Sequence, residues 1–391
     1  MSASHRPPQA VPNGIHYHAG ELDSPHVLSA NLPTTKLKSS PMPTLTEAEL
    51  IEVGRALLTA AKIPAQEIDP VALHLADANM VGHDSHGVMR LVQYLQMVDD
   101  GFVKPGAPVE RVVDGPAFCV LDGHFNFGQV IAGEGLRLAL EKARGQGTAT
   151  VFMRNCNHIG RLGAYTEAAA QAGFTAVMAV NAPGPGGVAP FGGIDRRLGT
   201  NPISMASPAP GGAVVLDMTT SATAEGKLRV AHQKGESIPP GLIIDGHGNP
   251  STDPADYYNK PYGAILPLGG PLMGHKGFGL SVMLDLICGL LSGSGLCRTD
   301  LPRGANGVWL HLMEVERFLP RAEYDQWITT YIDTLKSTRT LPGVSEILLP
   351  GEIERRRRQL RESEGVPIPD ETWRQLTELA AKLGATLPTI A

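Results

Sequence analysis

TATVFMRNCNHIGRLGAYTEAAAQAGFTAVMAV, residues 148–180, decides the fold class. Residues 148–153 read as a strand, 154–163 as a glycine-containing loop, 164–172 as a helix and 174–180 as a second strand. A period that switches from strand to helix and back marks α/β or mixed α+β sequence, not an all-α or all-β chain. The flanks agree. Upstream, 130–143 reads as a helix ended by Gly145. Downstream, 203–206 and 213–216 are short strands. Residues 235–262, rich in Pro, Gly and Asp, read as an extended loop with a turn at 245–249. An apolar helix near 277–292, a strand at 308–313, a helix near 323–334 and two charged helices, the last capped by Asp370, complete the chain.

On the N-terminal side, Thr46 and Glu49 form a capping-box pattern, with Leu45 and Leu50 as its hydrophobic staple. The helix they open runs to about Lys62, Pro64 breaks it, and a second spans 69–80. A third carries Val88, Leu91, Leu95 and Val98 on one face and stops at Gly101. Residues 1–43 hold seven prolines and four histidines without periodicity and read as a disordered tail. They lack the apolar core of a secretory signal.

The 391 residues are 42% apolar and 18% charged, enough for a sizeable core. A net charge of −6 argues against a nucleic-acid binder, which needs a positive surface. The one basic cluster, Arg355–Arg358, is flanked by Glu352, Glu354, Glu362 and Glu364 and reads as a solvated helix face. Cys119, Cys156, Cys288 and Cys297 form no C-x-x-C pair, which favours a reducing, cytoplasmic compartment. The apolar run 279–293 is short and contains Asp285, so it reads as a buried core helix and not a membrane span.

The Rossmann fingerprint, the P-loop, H-E-x-x-H and G-x-S-x-G are all absent. Four other stretches carry chemistry. In GHDSHGVMR, 82–90, Ser85 stands where a helix N-cap belongs. His86 would then sit in the first turn, where the dipole disfavours imidazolium, with Arg90 one turn on as a carboxylate clamp. His83, Asp84 and His86 also permit a metal reading, hence a metal-dependent hydrolase. In NCNHIGRLGAY, 155–165, His158 lies in a loop between strand and helix, a normal place for function. In 198–230, Gly199–Pro202 sets an extended backbone and Asp217 ends a strand beside Thr219. In GPLMGHKGFG, 270–279, Lys276 lies among glycines ahead of an apolar helix, where a phosphate could rest. Each stretch also has a plain structural reading as caps and turns.

Taken together, SHGVMR, NHIGRLGAY, GTNP, LDMTTS with GK, LPLGG with HKGFGL, and LPGE resemble the type-2 malate/L-lactate dehydrogenase family over about residues 44–385. That pattern is similar to L-sulfolactate, ureidoglycolate and diketogulonate oxidoreductases and to cyclic-imine carboxylate reductases. The resemblance implies a non-Rossmann fold. A cofactor-binding domain, 126–261, would be inserted into a discontinuous substrate and dimerisation domain, 44–125 plus 262–391. It implies an NAD(P)-dependent homodimer acting on a small 2-hydroxy or 2-keto acid, with no nucleic-acid or membrane partner. His86 matches the proton-exchanging position of one branch, Ser85 its relay partner, and His158 the general base of another branch; the two histidines compete. Arg90 and Thr200 match substrate or cofactor contacts. Ala213, Val214, Val215, Leu216, Asp217, Met218 and Thr219, with His275, Lys276, Gly351, Glu352 and Ile353, match cofactor contacts. Lys227 stands where imine reductases have a relay aspartate, as in malate-type members, which disfavours an imine substrate. The resemblance gives no metal. The short stretch 294–306 departs from the family pattern.

Overall fold

The structure, a computed structural model, describes residues 42–298 and 305–389. The expected tail lies outside the described residues except at 42–43, as does part of 294–306.

Strand β1 (Thr44–Leu45) leads into helix α1 (Glu47–Ala60). The capping box is present: Glu49 N donates to Thr46 Oγ1 at 3.3 Å, and Thr46 N to Glu49 Oε2 at 2.7 Å. Helix α2 (Ala65–Met80) starts directly after Pro64, earlier than expected, and holds Pro70 near its N-terminus, where one main-chain bond is lost. A 3₁₀ turn, Asp84–His86, precedes α3 (Arg90–Asp99). Then come β2 (Glu110–Gly115) and β3 (Phe118–Asp122), a hairpin absent from the sequence reading because nearly every β2 side chain is exposed and no apolar alternation marks it.

Helix α4 (Gly128–Gln146) runs through Gly145 and ends at Gly147, whose φ of 81° supplies the left-handed cap. Next are β4 (Thr148–Cys156), α5 (Leu162–Gln171), β5 (Phe174–Asn181), β6 (Ile203–Ser207), β7 (Val214–Met218) and α6 (Glu225–Lys234). The expected extended loop contains a small sheet of β8 (Ile243–Ile244), β9 (Pro250–Ser251) and β10 (Ala264–Ile265), with α7 (Ala255–Tyr258) between the last two. Helix α8 (Gly270–Ser292), β11 (Asn306–Glu314), α9 (Val315–Phe318) and α10 (Arg321–Lys336) follow. Helix α11 (Glu352–Glu364), β12 (Val366–Pro367) and α12 (Asp370–Leu383) end the described chain. Pro369, not Asp370, is the residue capping α12.

Seven strands form the central sheet in the order β2-β3-β4-β11-β5-β6-β7. Only β3 and β4 run parallel; every other pair is antiparallel. A sheet built this way lacks the crevice between parallel strands that receives a dinucleotide in doubly wound folds, which accounts for the missing glycine fingerprint. Alternation sorts its faces. Val151, Met153, Met178 and Leu310 pack under α4 and α5, while Ala179 and Trp309 face Leu284 and Cys288 of α8. A second core joins Leu50, Leu57, Leu75, Leu91 and Leu376 of α1, α2, α3 and α12. The sheet draws β2, β3 and β11 from outside 126–261, so its main-chain bonds cross both expected domain boundaries. Pairing between strands so distant in sequence leaves no local signal.

Helix α8 corrects the reading of a wholly buried core helix. Met283, Leu286, Leu290 and Leu291 are exposed on its outer face. It is the one helix among the described residues apolar and long enough to cross a bilayer. Its inner face is fixed to the sheet by Asp285, which accepts from Asn181 Nδ2 at 3.0 Å and from Cys297 N at 3.1 Å. Removing this carboxylate leaves one N–H of buried Asn181, whose Nδ2 still donates to the Gly295 carbonyl, and the half-buried Cys297 N–H without an acceptor. Asp285→Ala is expected to destabilise the protein by about 1–3 kcal/mol, read as a lower denaturant midpoint; an unchanged midpoint would show that α8 is held otherwise.

Candidate active site

The first element of the site is the turn at 84–86. Ser85 is not a helix N-cap, as the sequence suggested; α3 begins only at Arg90, after Gly87 has taken an extended conformation. The main chain just ahead of α3 is held from α2 instead: Asn79 Oδ1 receives Val88 N at 2.8 Å. Asn79 Nδ2 also donates to Asp84 at 2.7 Å. Arg90 folds back so that its Nε donates to the Ser85 carbonyl at 2.6 Å, and Nη1 donates to Gln93 Oε1 at 2.6 Å. Ser85 Oγ lies 3.1 Å from His86 Nδ1. The His86 imidazole is pushed down to about 3, first by desolvation among the packed groups and then by the charge of Arg90. The direction expected from a helix dipole is therefore right, but its cause is burial.

The second element is the loop after β4. His158 stacks on His86 with ring centroids 5.3 Å apart and planes at 24°. Its Nδ1 lies 2.6 Å from the Tyr94 hydroxyl. The loop is pinned from below by α2: Arg161 N donates to His74 Nε2 at 2.9 Å. Gly160, with φ 81°, passes directly over that ring; a Cβ there would lie 2.1 Å from Nε2. Tyr165 closes the turn by donating to the Ile159 carbonyl at 2.7 Å. The two sequence motifs thus meet as one pair of imidazoles.

The third element joins β7 to α11. Gly163 N donates to Asp217 Oδ2 at 2.7 Å, and burial raises that carboxyl. Val215 N donates to the Pro350 carbonyl at 3.1 Å, beside Gly351 with φ 87°. Arg161, Arg355 and Arg358 gather round this junction and line a cavity of about 40 Å³ with Val215, Asp217 and Gly351. The Arg355–Arg358 cluster divides: Arg356 and Arg357 are exposed as expected of a solvated face, whereas Arg355 and Arg358 turn inward. Arg355 donates to the Ala213 carbonyl at 2.6 Å, Arg358 binds Asp77 and Glu47, and buried Arg361 grips Asp84 through two bonds of 2.7 and 2.9 Å. Two larger surface cavities, of about 390 and 430 Å³, lie along α12 and contain no histidine.

The remaining expected residues divide. Thr200 accepts Thr220 N and Oγ1 on its carbonyl at 2.9 and 3.0 Å, tying the 199–202 segment to the end of β7. Lys227 is exposed; its neighbour Gly226 abuts Ser85, but no bond joins Lys227's side chain to either histidine. His275 and Lys276 are exposed, and Lys276 lies within α8, not ahead of it. His275 packs edge-on against Phe191 at 5.7 Å. Glu352 is turned inward to accept Leu349 N and Lys336 Nζ, both at 2.8 Å, whereas Ile353 is exposed. Both oxygens of Asp84 are engaged by Arg361, and His83 pairs with Glu354 at 3.4 Å. That set cannot turn its donors onto one ion, and no group of three or more metal-ligating side chains is clustered among the described residues.

The model of the malate/L-lactate dehydrogenase family matches residues 45–377. An L-lactate dehydrogenase of Cupriavidus necator is 36% identical over 344 residues, covering 86% of this chain and 97% of its own length. This chain belongs to the malate/L-lactate dehydrogenase family. It is an oxidoreductase of that family. The solved structure of malate dehydrogenase from Pyrococcus horikoshii superposes with a TM-score of 0.81 at 31% identity, covering 90% of this chain and 99% of that one. Δ1-piperideine-2-carboxylate reductase from Pseudomonas syringae has a similar structure, with a TM-score of 0.74 at 27% identity, covering 86% and 99%.

In this chain His74, Asp77, Tyr94 and Gln129 escaped the sequence reading, and Arg355 and Arg358 entered it only as part of a solvated helix face. Tyr94 alone left a signal there, one helical turn beyond Arg90; the rest act across long sequence separations. Buried His74 and half-buried His86 have a consequence for stability. His74 and His86 are lowered to about 4 and 3, so below pH 6.5 the unfolded chain binds protons that the folded chain refuses. Folding stability therefore falls on acidification through that window. His86→Asn should flatten the fall, measured as denaturant midpoints across the window; a slope equal to that of the unsubstituted protein would mean that His86 protonates freely when folded.

Proposed function

We propose that this protein is an NAD(P)-dependent 2-hydroxy acid dehydrogenase. The observation that carries the reading is the stacked pair His86 and His158 with the Arg90 guanidinium beside it. Arg90 holds the substrate carboxylate through paired N–H donors. The hydroxyl proton leaves to, or returns from, one of the two imidazoles, with Ser85 orienting His86. Lys227, next to the Gly226 that abuts Ser85, contributes positive charge at the edge of the cleft, and Thr200 is assigned to substrate or cofactor by the family resemblance.

The junction of β7 and α11 is the seat proposed for the cofactor. Arg161 Nε is a buried donor without a partner among the described residues, and three guanidinium groups border a glycine of positive φ. These groups fit an anionic nucleotide. Ala213 to Thr219 and Gly351 to Ile353 would hold it, and the family resemblance adds His275 and Lys276 of α8. When bound, the cofactor accepts or returns the hydride at nicotinamide C4. The protein acts as a cytoplasmic homodimer on small acids in this reading. Reduction of a cyclic imine carboxylate is the second reading, supported by the likeness to the piperideine carboxylate reductase.

The test is a panel of lactate, malate, sulfolactate and a cyclic imine carboxylate, each assayed with NAD and NADP couples. Turnover of a 2-hydroxy acid, insensitive to chelator, is expected; turnover of the imine alone would select the second reading. Arg90→Lys keeps the charge but loses the planar fork, and should raise KM for the acid about 10- to 100-fold. A rise confined to the cofactor constant would move Arg90 to the cofactor.

A further inference from the structure

Tyr94 is buried on α3, its ring packed against Phe127 at 6.3 Å, and its hydroxyl meets two groups. Gln129 Nε2 donates to that oxygen at 2.9 Å, and His158 Nδ1 lies 2.6 Å away. A phenol has one proton. With Gln129 filling the oxygen as acceptor, that proton points at Nδ1, and a neutral His158 then carries its own hydrogen on Nε2. Burial pushes Tyr94 up to about 12, so it remains a phenol at working pH.

Gln129 holds a second clue. Its Oε1 is buried and has no partner among the described residues. Such an atom carries a penalty unless another state of the molecule uses it. When His158 takes up a proton, Nδ1 becomes a donor and Tyr94 must accept. The phenol proton then needs a new acceptor, and a half-turn of the Gln129 amide brings Oε1 to it. The chain Gln129 N–H to Tyr94 O–H to His158 Nδ1 reverses to His158 Nδ1–H to Tyr94 O–H to Gln129 Oε1. Nε2 is the nitrogen that meets substrate. The resting Nε2–H ring becomes the imidazolium by taking a solvent proton on Nδ1. The imidazolium gives its Nε2 proton to a substrate oxygen and is left as the Nδ1–H ring with the reversed chain, and in the opposite direction that Nδ1–H ring takes the hydroxyl proton on Nε2. We propose that Tyr94 and Gln129 are positioning residues that set the tautomer of His158 and reverse their hydrogen-bond chain when it is protonated.

This inference rests on the dehydrogenase reading only for its kinetic arm. The titratable groups facing the chain are His86 across the stack, Arg90 on α3, and Arg161, His74 and Tyr165 from the loop, α2 and α5. None of them is altered in the variant. The test is ¹⁵N NMR of the histidine rings in the full, unliganded protein, with the His158 signals assigned by their loss in His158→Asn. The neutral ring is expected as the Nε2–H tautomer with an acceptor-shifted Nδ1. In Tyr94→Phe, which keeps the buried ring, the signals should move toward a tautomer mixture. In the same variant kcat should fall about 10- to 100-fold, with the cofactor KM unchanged and the pH profile shifted. An Nδ1–H tautomer in the unsubstituted protein, or a Tyr94→Phe variant with unaltered tautomer and pH profile, overturns the proposal. Absence of 2-hydroxy acid turnover in the unsubstituted protein would count against the reaction assigned above, while the tautomer is decided by NMR alone.

Discussion

The bond from the Arg161 main chain to the buried ring of His74 is the constraint on which the site depends. It requires an unprotonated acceptor nitrogen, which burial secures by lowering His74 to about 4. It also requires a residue without a side chain immediately before it, which Gly160 supplies. Helix α2 extends the same service along one of its ends. His74 fixes the loop that carries His158. Asp77 receives Arg161 at 3.0 Å and Arg358 from α11. Asn79 holds both Asp84 and the main chain at Val88, and so shapes the turn that carries His86. One helix end therefore positions the two imidazoles and the guanidinium groups across from them.

The antiparallel sheet explains why this arrangement is needed. A doubly wound protein offers phosphate a helix N-terminus at the carboxyl edge of parallel strands. Here the edge strand β7 meets the start of α11 instead, and side-chain guanidinium groups supply the positive charge. Their neighbours Asp217, Glu167 and Glu354 balance that charge in the unliganded protein and keep the arginines in place. Arg161 is the clearest case, since its main chain shapes the histidine loop while its side chain borders the proposed cofactor seat.

The fold class was legible because the alternation in β4 and β5 and the helix between them are local. The capping box at Thr46 and Glu49 was legible for the same reason. The hairpin β2–β3 was not, since an exposed strand carries no apolar period. The sheet order was not legible either, because β11 inserts between β4 and β5 from far along the chain. The motifs at 85–90, 157–165 and 216–219 could be singled out from residue types, and the structure brings them together. What residue types hid was which partner each charge takes. Arg355, Arg358 and Arg361 sit among glutamates in sequence, yet bond to groups just ahead of β7, on α1 and α2, and in the turn at 84–86. Ser85 looked like a cap because a helical apolar face follows it from Val88, but α3 starts only at Arg90 and the chain ahead of it is held by Asn79 on another helix.

In the proposed reaction His86 and His158 act as one proton-exchanging unit. A double-mutant cycle with His86→Asn and His158→Asn tests this directly, using kcat/KM for whichever 2-hydroxy acid is turned over. Residues that act as a unit are strongly non-additive. The double variant is then expected to be scarcely slower than the slower single variant. Losses that multiply across the two sites would contradict it, because each imidazole would then contribute independently of the other.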